Sequence, residues 1–360
     1  MLVVLEELLS VCLITTPPIK FIWKETPNWC VVIDNTVSSI DPHYLAAPTF
    51  SYDIQKSLEL HSNPNYRQVL IDHKELIALG HTINHSRVAL AQNAIVTRSG
   101  VITNTKTQST TVNGGCVSSS GPNFPRPNVR MSKVITLAAL WTEGIWHFPA
   151  EALSGLAAVP KSWVANASIH IASKTPYVMQ WLQLAGIRTE QVIAETVLAD
   201  QLIIPEMGKC GTPTPTQVLW LVDLINNHLP SQAITEDVVL VERTRSRSMP
   251  NFEMIRDVAR RFCKKRGLNL VIFSDRTTMP SLIFQLNVFR RAAVVISPHG
   301  AGLVNILACQ KGTRIIEFML PTYVNLCYTR LAYLIGLPYV ALPYEADEIT
   351  IQTTLNQLTT

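Results

Sequence analysis

From Val238 onward the apolar positions come in short unbroken runs separated by amphipathic stretches. Asp237-Val238-Val239-Leu240-Val241-Glu242 and Leu268-Asn269-Leu270-Val271-Ile272-Phe273 read as strands, and further runs follow at 293–296, 314–318 and 339–342. Between the first two, Met254, Val258 and Phe262 recur every four residues, basic residues crowd the end at Arg266, and Gly267 follows. That spacing predicts a helix over 251–266 closed by a left-handed glycine. Unbroken apolar strands alternating with helices imply a parallel α/β sheet covered on both faces.

The earlier part of the chain is less regular. Residues 89–104 suit a hairpin about Ser99-Gly100, and 98–129 are so rich in Ser, Thr, Asn, Gly and Pro that a surface loop is expected. An apolar run at 134–140 precedes a predicted helix at 149–159. Strand, helix and strand follow at 168–171, 177–184 and 191–193, then a helix over 213–229 and a hinge at 230–236. With 360 residues the chain exceeds one ordinary core, so two domains are expected, at 35–229 and 237–345. Residues 1–34 stay unassigned, and 346–360 read as a tail.

Composition adds limits rather than identity. Hydrophobic residues at 47% and charged residues at 16% describe a globular protein, and a net charge of +4 with no long basic cluster speaks against a nucleic-acid partner. The seven cysteines (Cys12, Cys30, Cys116, Cys210, Cys263, Cys309, Cys327) form no C-x-x-C pair, which removes zinc-ribbon and thioredoxin-like readings. Sequons stand at Asn84 and Asn166. Residues 1–22 are apolar but broken by Glu6, Glu7, Pro17 and Pro18 and lack a basic leader, so the expectation is either a soluble chain or an anchor lost from it.

Chemistry concentrates at Ser297-Pro298-His299-Gly300-Ala301-Gly302, where a strand passes through a glycine turn into a helix start. Glycines let backbone N–H groups approach a ligand, and a helix start adds about half a positive charge. The turn is therefore read as an anion seat at the carboxyl end of a parallel strand. No acidic residue lies between Asp275 and Glu317, whereas Arg276, Arg290, Arg291, Lys311 and Arg314 do, so the local field is expected to favour anions. The Glu242-Arg243-Thr244-Arg245-Ser246-Arg247 turn offers three arginines, of which Arg243 is nearest its strand.

These residues carry a resemblance. The run from Val294 to Leu303, the segment Gly312-Thr313-Arg314-Ile315-Ile316-Glu317 and the Glu242-Arg243 turn resemble glycosyltransferase family 61, the DUF563 group, which includes eukaryotic transferases of N-acetylglucosamine and plant transferases of pentoses. Gly144-Ile145-Trp146-His147-Phe148-Pro149-Ala150-Glu151 and Ala199-Asp200-Gln201-Leu202 extend it into the first half.

The resemblance implies a GT-B fold of two Rossmann-like domains facing a cleft, the first serving the acceptor and the second, a doubly wound parallel sheet, serving the nucleotide sugar. It also implies inversion at the anomeric carbon and independence from a metal, and the chain has no D-x-D pair. A sugar such as GlcNAc or xylose would pass from a UDP-sugar, as substrate rather than cofactor, to a glycan or protein hydroxyl. Donor binding is then expected from Arg243, Ser297, His299, Gly300, Ala301, Gly302 and Glu317, the last through ribose hydroxyls. Arg243 and His299 would offset the charge of the departing diphosphate, and His147 or Glu151 would serve as base. A eukaryotic member would work in the Golgi or ER lumen, with a type II membrane anchor that this chain does not show; otherwise a cytoplasmic protein is expected. The rivals are an NAD(P)-dependent oxidoreductase, disfavoured because Asn305 replaces the third fingerprint glycine, and a non-catalytic sugar-nucleotide or glycan-binding homologue.

Overall fold

A computed structural model describes residues 20–21, 30–36, 85–104, 109–111, 126–208, 213–230, 235–276, 278–320 and 325–357. Asn84, Cys12, Cys116, Cys210, and most of the expected loop and hinge lie outside them.

The second half contains the five strands expected from its apolar runs: β10 (Asp237–Glu242), β11 (Asn269–Ser274), β12 (Ala292–Pro298), β13 (Arg314–Met319) and β14 (Tyr339–Pro343). All pair in parallel, in the order β11-β10-β12-β13-β14. Side chains alternate along a strand, so each run splits its apolar residues between two faces. Val238, Leu240, Val294, Ile296, Ile316, Phe318, Val340 and Leu342 pack with Ile255, Val258 and Phe262 of the helix Phe252–Arg266. Gly267 ends that helix with φ 67°. Ile351 and Leu355 of the helix Glu348–Gln357 join the same cluster, so the segment read as a tail belongs to the core. On the other face Val239, Val241, Val295, Ile315 and Ala341 meet the helices Leu282–Arg290 and Cys327–Leu334 and the 3₁₀ helix Ala301–Ala308. Helices on both sides make this half doubly wound.

The first half departs from the expected Rossmann-like pattern. Its sheet is mixed: β6 (Val129–Thr136), β7 (Ser168–His170), β8 (Val192–Ile193) and β9 (Val197–Pro205) run parallel in the order β9-β6-β7-β8, but β9 also pairs antiparallel with the twelve-residue β3 (His85–Val96). The expected hairpin joins β3 to β4 (Val101–Asn104) through a turn in which Gly100 takes φ 77° and its N–H donates to Thr97 O at 2.9 Å. Within the predicted loop, β5 (Ser109–Thr111) pairs with β4 and, in parallel, with β1 (Lys20–Phe21), while β2 (Cys30–Thr36) pairs antiparallel with β3. The helix expected at 149–159 is not α-helical: Phe148–Ala152 is a π turn followed by the 3₁₀ segment Leu153–Ala158, with Pro149 in the first turn.

The predicted helix before the hinge is Pro215–Asn226, begun by a Thr214 cap and a Gln217 that returns the bond. Its buried Val218, Leu221 and Ile225 share one apolar cluster with Phe148 and Leu153 of the first half and Leu303, Ile306 and Leu307 of the second. The halves thus share a continuous core. Among the described residues no helix is long and apolar enough to cross a membrane.

Candidate functional site

In a 2-1-3-4-5 parallel sheet the winding reverses between the first and third strands, here β10 and β12, and a crevice opens beyond their carboxyl ends. Arg243 leaves β10 and the 297–302 turn leaves β12 at that reversal. The geometry joins them: Arg243 Nη1 donates to the His299 carbonyl at 3.2 Å, and Nη2 donates to Ser246 Oγ at 3.0 Å. Gly300 sits so close beneath the guanidinium that a methyl carbon there would fall 2.0 Å from Nη1. Its φ of 169° is ordinary extended backbone, so the glycine answers a steric demand and not a conformational one. A Cβ on Gly302 would meet nothing within 4 Å, which leaves that backbone open to approach. Arg243 is half-buried, and burial, then the nearby Arg247, lowers its pKa from the ordinary arginine value. Arg247 itself adopts φ 55°, a left-handed conformation unusual for a long side chain.

Beneath the turn lies a buried polar array. The Glu317 side chain has no exposure: the Tyr339 hydroxyl donates to Oε2 at 2.6 Å, and His299 Nδ1 lies 2.5 Å from Oε1. Assigning the imidazole proton to Nδ1 makes both contacts donations to the carboxylate. Glu317 therefore does not reach out for ribose hydroxyls as expected; strand pairing puts it opposite Ser297, under the turn rather than at its lip. Ser297 is also buried, and its hydroxyl donates to Pro298 O at 2.8 Å, so it braces the turn instead of offering a ligand contact. With Nδ1 engaged and 3% of the residue exposed, any ligand contact by His299 falls to its Nε2 edge. Ala301 and Gly302 are partly exposed.

The expected cationic field is dispersed. Arg290, Arg291, Lys311 and Arg314 lie at or before the amino ends of β12 and β13, ~20 Å along the strand from the turn. Arg291 pairs with Glu236 and Asp237, and Arg290 donates to Asn226 Oδ1 at 2.5 Å. Arg276 does lie at the carboxyl end but holds Glu242 through two bonds, of 3.0 and 2.6 Å, and with Ser274 keeps that carboxyl below its usual range. At the turn after β10, Arg247 stands near Arg243.

From the first half, His147 and Glu151 meet as their spacing predicted: His147 Nδ1 is 2.9 Å from Glu151 Oε2, with the imidazole partly exposed and the carboxylate nearly buried. Trp146 Nε1 donates to the other oxygen at 2.9 Å. The Trp146 ring then stands edge-on to Tyr328 of the second half, centroids 5.0 Å apart, and Tyr328 lies 5.2 Å from the His299 ring. Burial holds the Tyr328 phenol well above its ordinary pKa. The neighbouring Cys327 thiol is raised first by burial and then by Glu317 and Glu151, one carboxylate from each half. Contacts thus run from His147 through Glu151, Trp146 and Tyr328 to His299 and Glu317. Sequence reasoning did not single out Trp146, Tyr328 or Tyr339. Trp146 stood inside a quoted segment without a role of its own, and the tyrosines have no motif spacing. Among the described residues no group of three or more His, Cys, Asp or Glu side chains could hold a metal ion.

Residues 145–316 match the family model described as Glycosyltransferase 61. An α/β fold with this match points to the glycosyltransferase class. More particularly, this segment, a little under half of the chain, is similar to glycosyltransferase family 61. The matched segment holds His147, Glu151, Arg243 and the 297–302 turn, so it takes in both sides of the site. No curated protein matches the chain.

Proposed function

We propose that the chain is an inverting, metal-independent transferase of GT-B type that moves a sugar, GlcNAc or a pentose such as xylose, from a UDP-sugar to a hydroxyl of a glycan or protein. The observation that carries this reading is the Arg243–Gly300 contact at the sheet's reversal, opposite the His147–Glu151 pair. The diphosphate lies along the turn at Gly300, Ala301 and Gly302, with Arg243 taking the negative charge that builds on the leaving group. Buried Glu317 and Tyr339 orient His299 at the same edge. His147 accepts the proton of the acceptor hydroxyl as that oxygen attacks the anomeric carbon from the face opposite the diphosphate. Glu151 orients the imidazole and stabilises its protonated form.

A panel of UDP-sugars, read by mass spectrometry for donor hydrolysis and transfer, tests this directly. Arg243→Ala should lower turnover at least ~10²-fold, as removal of one charge-stabilising donor does. Near-normal turnover in that variant would refute the assignment, and UDP binding with no turnover in the unaltered chain would identify a non-catalytic homologue.

A further inference from the structure

Trp141 departs from the rule twice. It is 52% exposed, although tryptophan is highly buried on average, and it adopts φ 71°, a region that a bulky side chain enters only under constraint. The constraint is visible. Thr142 is buried, accepts from the Ala139 N–H at 3.1 Å and donates back to the Ala139 carbonyl at 2.7 Å. Gly144 N–H donates to Trp141 O at 2.8 Å, and the Tyr177 hydroxyl donates to Ile145 O at 3.0 Å. Ala139, Thr142, Gly144 and Ile145 around Trp141 are tied down while its own side chain stays half exposed. Strain of this kind persists where surrounding structure over-determines it, and it gathers at ligand-binding sites.

Its place gives the strain a purpose. The loop follows the carboxyl end of β6, a parallel strand, where ligands of α/β sheets bind. A Cβ on Gly144 would lie 3.1 Å from Trp141 O and 3.2 Å from His147 Cδ2, so the Trp141 turn packs directly against the imidazole. Trp146, five residues on, is spent between the halves at 6% exposure, whereas Trp141 stays half exposed in the turn beside His147.

We propose that Trp141 is the stacking platform for a sugar ring of the acceptor, so that the acceptor is a glycan rather than a bare peptide hydroxyl. The inference rests on the transferase reading above and deepens it. A pyranose presents one face of C–H groups and a rim of hydroxyls. An indole half in water covers that face while the hydroxyls keep their hydration.

Calorimetric titration of the full chain with triacetylchitotriose, xylotriose and mannotriose, beside a separate titration with UDP, tests the proposal. At least one oligosaccharide should bind the unaltered chain, and Trp141→Ala should weaken it at least ~10-fold, as truncation of an aromatic anchor does. Trp141→Phe should retain most of the affinity, and UDP affinity should be the same in all three. Trp141→Gly supplies the control for folding: glycine tolerates the left-handed backbone, so its thermal midpoint should be no lower than that of the unaltered chain while sugar binding is lost. Equal oligosaccharide affinity in Trp141→Ala, or UDP binding with no oligosaccharide bound to the unaltered chain, would overturn the platform. Failure of UDP to bind at all would sink the transferase reading instead.

Discussion

Gly300→Ala adds a single methyl group, placed 2.0 Å from Arg243 Nη1, 2.9 Å from Cζ and 3.1 Å from Cδ. Alanine accepts the extended backbone at this position, so nothing in the turn itself resists the change. The obstacle is the far end of a flexible side chain, and the guanidinium has to swing away. It then gives up its bonds to the His299 carbonyl and Ser246 and its place over the turn. A hydrogen bond to a charged group is worth about 1.5–3 kcal/mol, so UDP should bind ~10- to 150-fold more weakly. Thermal stability should change little, because a half-exposed arginine moves and no core residue does. A double-mutant cycle makes the reasoning strict. In an Arg243→Ala background the methyl enters vacated space, so adding Gly300→Ala should alter UDP binding by less than about 0.5 kcal/mol. Isothermal titration of UDP into the four proteins reads the cycle. Additive losses, or wild-type affinity in Gly300→Ala alone, would show that the glycine does not act through Arg243.

Tyr328→Phe should keep kcat/KM within a few-fold because both ring contacts survive, whereas Tyr328→Ala removes two aromatic contacts worth roughly 0.5–1.5 kcal/mol each and should cost ~10-fold or more; equal effects would dissociate the ring from positioning. His170 is fully buried between Thr136 Oγ1 and the Glu195 carbonyl, and burial pushes its pKa down from 6.5 to about 4. The folded state therefore resists protonation that the unfolded chain accepts, so stability present above pH ~6.5 should fall by about 3 kcal/mol as pH drops toward 4. His170→Gln should flatten that part of the denaturant midpoint against pH, and an unchanged slope would refute the role of this histidine.

How far the chain could be read before its structure differs between the halves, and the reason is physical. In the second half the strands inside the sheet are buried on both faces, so apolar runs such as Val238–Val241 announce themselves whatever lies beside them. In the first half β3 and β9 cross-pair antiparallel over long range, and no local pattern encodes that partnership. Gly300 and Arg243 were recognisable because each ends a strand at a turn. The charge argument failed for Arg290, Arg291 and Arg314 because neighbours in sequence can sit at opposite ends of a strand. Glu317 was placed correctly on its strand but assigned the wrong direction, since alternation about a single residue decides whether a carboxylate faces a cleft or the interior. Tyr328 reaches the site only through tertiary packing of its helix.

The helix Pro215–Asn226 is wedged by Val218, Leu221 and Ile225 into apolar residues from both sides and ties the two halves together. Prising the two sheets apart would bare that greasy seam to water, so wide jaw-like opening is costly. On the proposed transferase reading, the nucleotide would leave through small local adjustments at the rim, and severing the chain near residue 230 would leave two sticky fragments instead of two working modules.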